Sequence, residues 1–86
     1  MGKFAILHTT RGYSTSTGAT PHSWPHFPQR YKRVISSWCS VRKDAGKTNY
    51  YSANLYWDEY GNFQVACSAN TAHAVDIYAI VEINQT

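Results

Sequence analysis

The chain has 86 residues, a formal net charge of +3 and an aromatic content of 15%. A chain of this length forms one small domain, which we assign to residues 1–86. Charged residues make up only 15% of the sequence, and this low charge content together with the many aromatic residues argues against intrinsic disorder. No apolar run approaches the ~20 residues of a membrane span, so we expect no membrane association.

The charges are divided unevenly along the chain. All eight Lys and Arg lie in residues 1–57 with one acid, which gives this part a net charge of +7. Residues 58–86 contain four acids and no Lys or Arg, a net charge of −4. This asymmetry favours a polyanion or an acidic surface as the partner of the first part. It fits a homo-oligomer equally well, and the high aromatic content also indicates that a partner or another copy covers some surface.

The cysteine content bears on location. Cys39 and Cys67 are too few for a disulfide-rich secreted scaffold, and no signal peptide precedes Lys3. We therefore expect a cytoplasmic protein with two reduced thiols, although the two side chains can pair if their elements are adjacent.

The first predicted element is a strand over Phe4–Leu7, where four consecutive apolar residues indicate a strand covered on both faces. A long loop is predicted next, over residues 9–27. It belongs to a stretch of 25 residues, from Thr9 to Arg33, that has no Val, Ile, Leu or Met. Loops of this length in compact domains are usually functional or disordered, so we place the function here.

Residues 28–45 allow two interpretations. Five large residues recur at helical spacing: Tyr31, Val34, Ile35, Trp38 and Val41. That spacing forms one face of an α-helix, and Pro28 suits its first turn. As a strand, the same residues separate cleanly onto neither face. The periodicity therefore favours a helix.

The last part of the chain predicts strands. Residues 49–57 and 62–68 flank a turn sequence that ends at Gly61, as in a hairpin. Alternating apolar residues from Val75 to Ile83 predict a strand at the centre of the sheet. The expected fold is α+β: a four-stranded, mostly antiparallel sheet with one helix on a face and a long loop after the first strand.

Basic and aromatic residues in the loop and the predicted helix form the candidate binding surface. Cations bind phosphates, while planar rings stack on bases. We therefore predict a non-enzymatic binding protein for a phosphate-bearing ligand, a nucleic acid or a nucleotide, with no cofactor and no metal. The candidate ligand-binding residues are Arg11, Tyr13, His22, Trp24, His26, Phe27, Arg30, Lys32 and Arg33.

Two other functions fit the same sequence. A short, basic, aromatic-rich chain also resembles the small protein-binding inhibitors of phages and mobile elements, which would act here on an acidic partner surface. A metal-independent ribonuclease-type toxin would use the loop histidines as acid and base and the arginines to stabilise the transition state. The histidines lack convergent partners in the sequence, so binding is favoured over catalysis.

Overall fold

A computed structural model describes residues 2–42 and 50–84, which form β-strands without any helix. The strands are β1 (Lys3–Tyr13), β2 (His22–Ser23), β3 (Tyr31–Val41), β4 (Ala53–Trp57), β5 (Asn62–Cys67) and β6 (His73–Ile83). They form two three-stranded antiparallel sheets: a first sheet of order β1-β6-β3 and a second of order β2-β5-β4. The α+β prediction is therefore wrong, since a second sheet takes the place expected for a helix.

The core lies between the two sheets. Alternate residues of β6 point inward, and Val75, Ile77, Ala79 and Val81 have no exposed surface. From the second sheet, alternate residues of β5 meet them, with Val65 also fully buried. The predicted hairpin and the predicted central position of the last strand are confirmed. Residue 49 of that hairpin lies outside the described residues.

The element predicted as a helix over 28–45 is the edge strand β3, and residues 43–45 lie outside the described ranges. Its pairing with β6 shifts register between Tyr31 and Arg33 and again between Val34 and Ser36. In a regular strand every second side chain faces inward. Each extra residue in a bulge increases the spacing between two inward-facing side chains from two positions to three. The inward residues Tyr31, Val34 and Ser37 consequently recur every three positions, which imitates a helix.

The first strand is longer than predicted and is covered on one face only. β1 continues through Thr9 and Thr10 to Tyr13, so it takes up the start of the predicted loop. Phe4 and Ile6 are 59% and 68% exposed, so the prediction of two covered faces is wrong for the described residues. Their side chains lie on the outer face of the first sheet, the side away from the second sheet.

The rest of the predicted loop folds back against the second sheet. His22 and Ser23 pair with β5, and the amide of Trp24 donates to the carbonyl of Gly61 at 2.9 Å. The Phe27 ring lies directly against Gly61, and the Phe27–Pro28 bond is cis. These contacts hold residues 22–31 along one side of the sandwich, beside β1.

No helix in the described part of the chain is long and apolar enough to cross a membrane.

Candidate ligand-binding cleft

A cleft of about 320 Å³ opens between the two sheets on the side where β1 faces the segment after β2. Its apolar wall comes mainly from Leu7, Trp24, Tyr31 and Phe63. Its polar lining comes from Thr9, Arg11, Ser23 and His26, together with His8. An apolar cleft with a few convergent polar groups is the usual form of a small-molecule site.

Arg11 is the cation of this cleft. Strand alternation places it on the inner side of β1, two residues before the buried Tyr13, but at a point where the sandwich is open. Its guanidinium nitrogen Nη1 lies 2.9 Å from Nδ1 of His22, which belongs to the second sheet. No carboxylate pairs with Arg11 among residues 2–42 and 50–84. The positive charge thus lies between the sheets without a counter-ion from the described part of the chain.

His22 orients that guanidinium as a neutral imidazole. Burial and the nearby charge of Arg11 both lower the pKa of His22 below its ordinary value. A neutral ring can accept a hydrogen bond at Nδ1, so the Arg11 N–H donates to it. This arrangement uses one N–H of Arg11 and leaves others for a ligand, in a fork that matches a phosphate.

A second depression lies on the other side of Arg11. It measures about 340 Å³ and includes Gly12, Tyr13, Thr17, Thr20 and His22. Arg11 lines both depressions. Four other residues predicted from sequence therefore line the two depressions that Arg11 joins: Tyr13, His22, Trp24 and His26.

Not all of these side chains can touch a ligand. Tyr13 and Trp24 are only 2% and 5% exposed, because both rings pack in the core. Trp24 contacts Phe63 with ring centroids 5.2 Å apart. The hydroxyl of Tyr13 is buried and has no hydrogen-bond partner among residues 2–42 and 50–84. The Trp24 side chain forms part of the wall of the cleft, and the Tyr13 side chain forms part of the wall of the second depression.

His26 lies at the rim of the cleft in an unusual backbone conformation. Its φ is 70°, which is the left-handed region that residues other than glycine seldom occupy. The turn that imposes it is closed by the amide of Arg30, which donates to the His26 carbonyl at 3.0 Å. Phe27 follows in the sequence, and its ring packs against that of Tyr31 with the ring centroids 5.0 Å apart. A strained rim residue held by its neighbours is often found at binding sites.

The remaining predicted residues lie away from the cleft. Arg30, Lys32 and Arg33 are exposed at and after the turn that leads into β3. Lys32 and Arg33 share the carboxylate of Glu82, at 3.8 Å and 3.7 Å. The structure therefore divides the predicted basic surface in two, with Arg11 in the cleft and the other three cations on β3 or just before it.

Sequence reasoning missed several residues of the cleft: His8, Thr9, Ser23 and Tyr31. The signal for Thr9 was the alternation Leu7, Thr9, Arg11, Tyr13, which continues the strand past the end predicted for it. Tyr31 was predicted on the core-facing side of a helix, whereas the structure places it at the start of β3, where it lines the cleft.

In these features the chain is a small β-sandwich with a cationic cleft along one side. Comparison with protein-family models, curated proteins and solved structures finds nothing that matches it.

Proposed function

We propose that the protein binds a phosphate-bearing ligand in the cleft beside Arg11, and that a nucleotide is favoured over a nucleic acid. The observation that carries the proposal is the Arg11 guanidinium, which has no carboxylate partner among the described residues and is oriented by a neutral imidazole. Such a group is available for a bidentate contact with phosphate oxygens.

The walls of the cleft suit the rest of a nucleotide. Tyr31 and Phe63 provide ring surface, and Thr9 and Ser23 provide hydroxyl groups at the same cleft. Planar bases stack on aromatic rings, and hydroxyl groups bond to sugars and phosphates. A volume of about 320 Å³ accommodates one small ligand.

A nucleic acid is less favoured because three of the other cations are partly neutralised by carboxylates. Lys32 and Arg33 face Glu82, and Arg42 contacts Asp76 at 2.8 Å. A polynucleotide needs a continuous track of unpaired cations along the backbone.

We place this binding in the cytoplasm, since both cysteines are free thiols and disulfides are rare in that compartment.

Calorimetric titration with a nucleoside monophosphate, the matching nucleoside and inorganic phosphate tests the proposal. We expect the monophosphate to bind, the nucleoside to bind far more weakly, and the affinity to fall with added salt. Arg11→Gln should weaken monophosphate binding about tenfold to a hundredfold, because a charge-assisted contact is lost. Absence of binding by the wild-type protein overturns the proposal.

Arg30→Gln is the matched control. It removes the same charge from an exposed arginine that does not line the cleft. If the two variants lose affinity equally, the interaction is a general charge effect and not a site at Arg11. His22→Gln keeps an acceptor beside Arg11 and should weaken binding less than Arg11→Gln does.

The other two candidate functions are a protein-binding inhibitor that acts on an acidic partner surface and a metal-independent ribonuclease. Exposed aromatic residues of the β4–β5 hairpin, Tyr56 and Tyr60, are suited to a protein partner, but they lie beside Asp58 and Glu59. This hairpin therefore does not favour an acidic partner.

A ribonuclease would degrade labelled RNA without added metal, and Arg11→Gln and His26→Ala would each slow that cleavage.

A further inference from the structure

β1 forms an open edge of the first sheet. It pairs with β6 on one side over all 11 residues, from Lys3 to Tyr13, without a register shift. Within the described ranges, no other strand pairs with its second side. An edge strand of this kind presents a row of backbone N–H and C=O groups that can pair with another chain.

The opposite edge of the same sheet is protected, which makes β1 the exception. β3 is interrupted by two register shifts, and its Val34 amide donates to the Glu59 carbonyl at 2.9 Å. Bulges, prolines and charged residues are the usual protection of sheet edges. β1 has no bulge and no proline, and its charged residues, Lys3 and Arg11, lie near its ends.

The sequence of β1 is complementary to itself when two copies run antiparallel about His8. Phe4 then lies opposite Gly12, so the largest exposed ring of β1 faces the residue without a side chain. Ile6 lies opposite Thr10, and His8 lies opposite itself. No two charged residues fall directly opposite, because Lys3 meets Tyr13 and Arg11 meets Ala5. Cross-strand pairs of this kind decide which register is stable.

A row of rings on the outer face ends at the same edge. Trp38, Tyr78 and His8 lie side by side on β3, β6 and β1, with centroid separations of 5.5 Å and 4.6 Å. The rings are nearly parallel, at 13° and 20°, so their faces overlap. Trp38 and His8 are the two ends of this row. Because directly opposite Cβ atoms are about 5 Å apart, a second His8 across the edge would continue it.

We propose that β1 pairs with β1 of a second copy of this chain, antiparallel and with His8 on the twofold axis. The two first sheets then form one six-stranded sheet, and the exposed Phe4 and Ile6 each gain a neighbour from the second copy. An antiparallel ladder of this length closes about 10 hydrogen bonds, as many as a typical protein interface contains. The pairing does not depend on the proposed ligand.

Sedimentation velocity over a range of concentrations tests for the dimer, with an expected mass of twice the 9.8 kDa of one chain. Oxidation of His8→Cys tests the register. Opposite Cα atoms lie about 5 Å apart, within the reach of a disulfide, so we expect rapid formation of a covalent dimer.

Thr10→Cys is the matched control. It lies on the same strand and face, but in the proposed register it meets Ile6 of the second copy. The two introduced thiols would be about 14 Å apart and should not crosslink. The double variant Ile6→Cys/Thr10→Cys should crosslink again, and it tests the register if His8→Cys destabilises the fold.

His8→Lys gives an independent test in solution. It places two like charges opposite each other on the axis and should weaken dimerisation several-fold to about tenfold. Ser36→Lys adds the same charge to the outer face on β3 and should leave the dimer intact. A wild-type monomer at all concentrations overturns the proposal. So does a dimer in which Thr10→Cys crosslinks as readily as His8→Cys, or in which neither variant does.

Discussion

The hydroxyl of Thr10 donates a 2.6 Å hydrogen bond to the carboxylate of Asp76, which lies directly opposite on β6. The same carboxylate contacts His8 Nε2 at 3.0 Å and Arg42 Nη2 at 2.8 Å. These donors, with Thr10 first, lower the pKa of Asp76 from 3.8 to about 2. One carboxylate of the central strand thus contacts edge strand β1 and the residue that directly follows edge strand β3.

Asp76 makes the stability of the protein depend on pH in the acid range. A carboxyl group with a lowered pKa stabilises the folded state above its unfolded pKa, and this contribution is lost as the pH falls through its folded pKa. The Asp76 contribution should therefore be complete above about pH 4 and decline towards pH 2. Asp76→Asn should lower the melting temperature at pH 7, with a difference that shrinks over this window.

Thermal unfolding followed by circular dichroism between pH 2 and pH 7 measures this difference. Glu82→Gln is the control, because its contacts to Lys32 and Arg33 are longer, at 3.8 Å and 3.7 Å. Its effect should be smaller than that of Asp76→Asn. Equal melting temperatures of wild type and Asp76→Asn at pH 7 would contradict the assignment.

Gly61 is a glycine whose replacement should be costly. Its φ is +94°, and a Cβ there would lie 2.5 Å from Cγ of the Phe27 ring. Gly61→Ala should lower the free energy of unfolding by about 2–4 kcal/mol, because the new methyl group strains the backbone and displaces the ring. Urea denaturation measures the loss.

Gly2→Ala is the comparison for Gly61→Ala. A Cβ at Gly2 would make ordinary contacts, 3.6 Å from the side chain of Glu82. Its effect should stay within about 0.5 kcal/mol. Two glycine variants of equal stability would show that Phe27 does not pack against Gly61.

The Tyr13 hydroxyl should contribute nothing to stability. The ring is 2% exposed and the hydroxyl has no hydrogen-bond partner among the described residues. Burial raises the pKa of this phenol, so it stays neutral. Tyr13→Phe should leave the free energy of unfolding unchanged or raise it by up to about 1 kcal/mol. Tyr13→Ala should cost about 3–5 kcal/mol, since it leaves a cavity. A large loss in Tyr13→Phe would show that the hydroxyl is bonded.

The two cysteines should behave as unreactive thiols. Both are free in the structure, a point that the sequence left open, and Cys67 is buried. Burial, with a smaller effect from Cys67, raises the pKa of the Cys39 thiol, which lowers its thiolate fraction at neutral pH. We expect slow alkylation of the folded protein, rapid alkylation in urea, and no change of melting temperature with a reducing agent. Fewer than two reactive thiols in urea would contradict this.

The strands with simple alternation were predictable, and β3 was not. Phe63, Val65 and Cys67 alternate with the exposed residues of β5, and all three are buried as expected. In β3 the two register shifts separate Tyr31, Val34 and Ser37 by three positions each. A bulge depends on the partner strand, so local periodicity alone could not distinguish it from a helical turn.

The candidate site was predictable only in part, for the same reason. Arg11, His22 and His26 were selected because cations and imidazoles occur in an unusual stretch without aliphatic residues. Arg11 and His26 line one cleft, and His22 contacts Arg11 from the adjoining depression. This arrangement depends on the position of β2 in the other sheet. Trp24 was expected to face a ligand, but its ring packs on Phe63 because the small core needs apolar area.

By itself the sequence determined the hairpin, the central strand and the uneven charge, since each follows from neighbouring residues. Only the tertiary structure decided that residues 31–41 form a strand and that Arg11 lies beside His22. It also decided which of the cations are neutralised by carboxylates. These features join residues far apart in the chain. Pairing across sheets, rather than any local preference, sets which side chains meet.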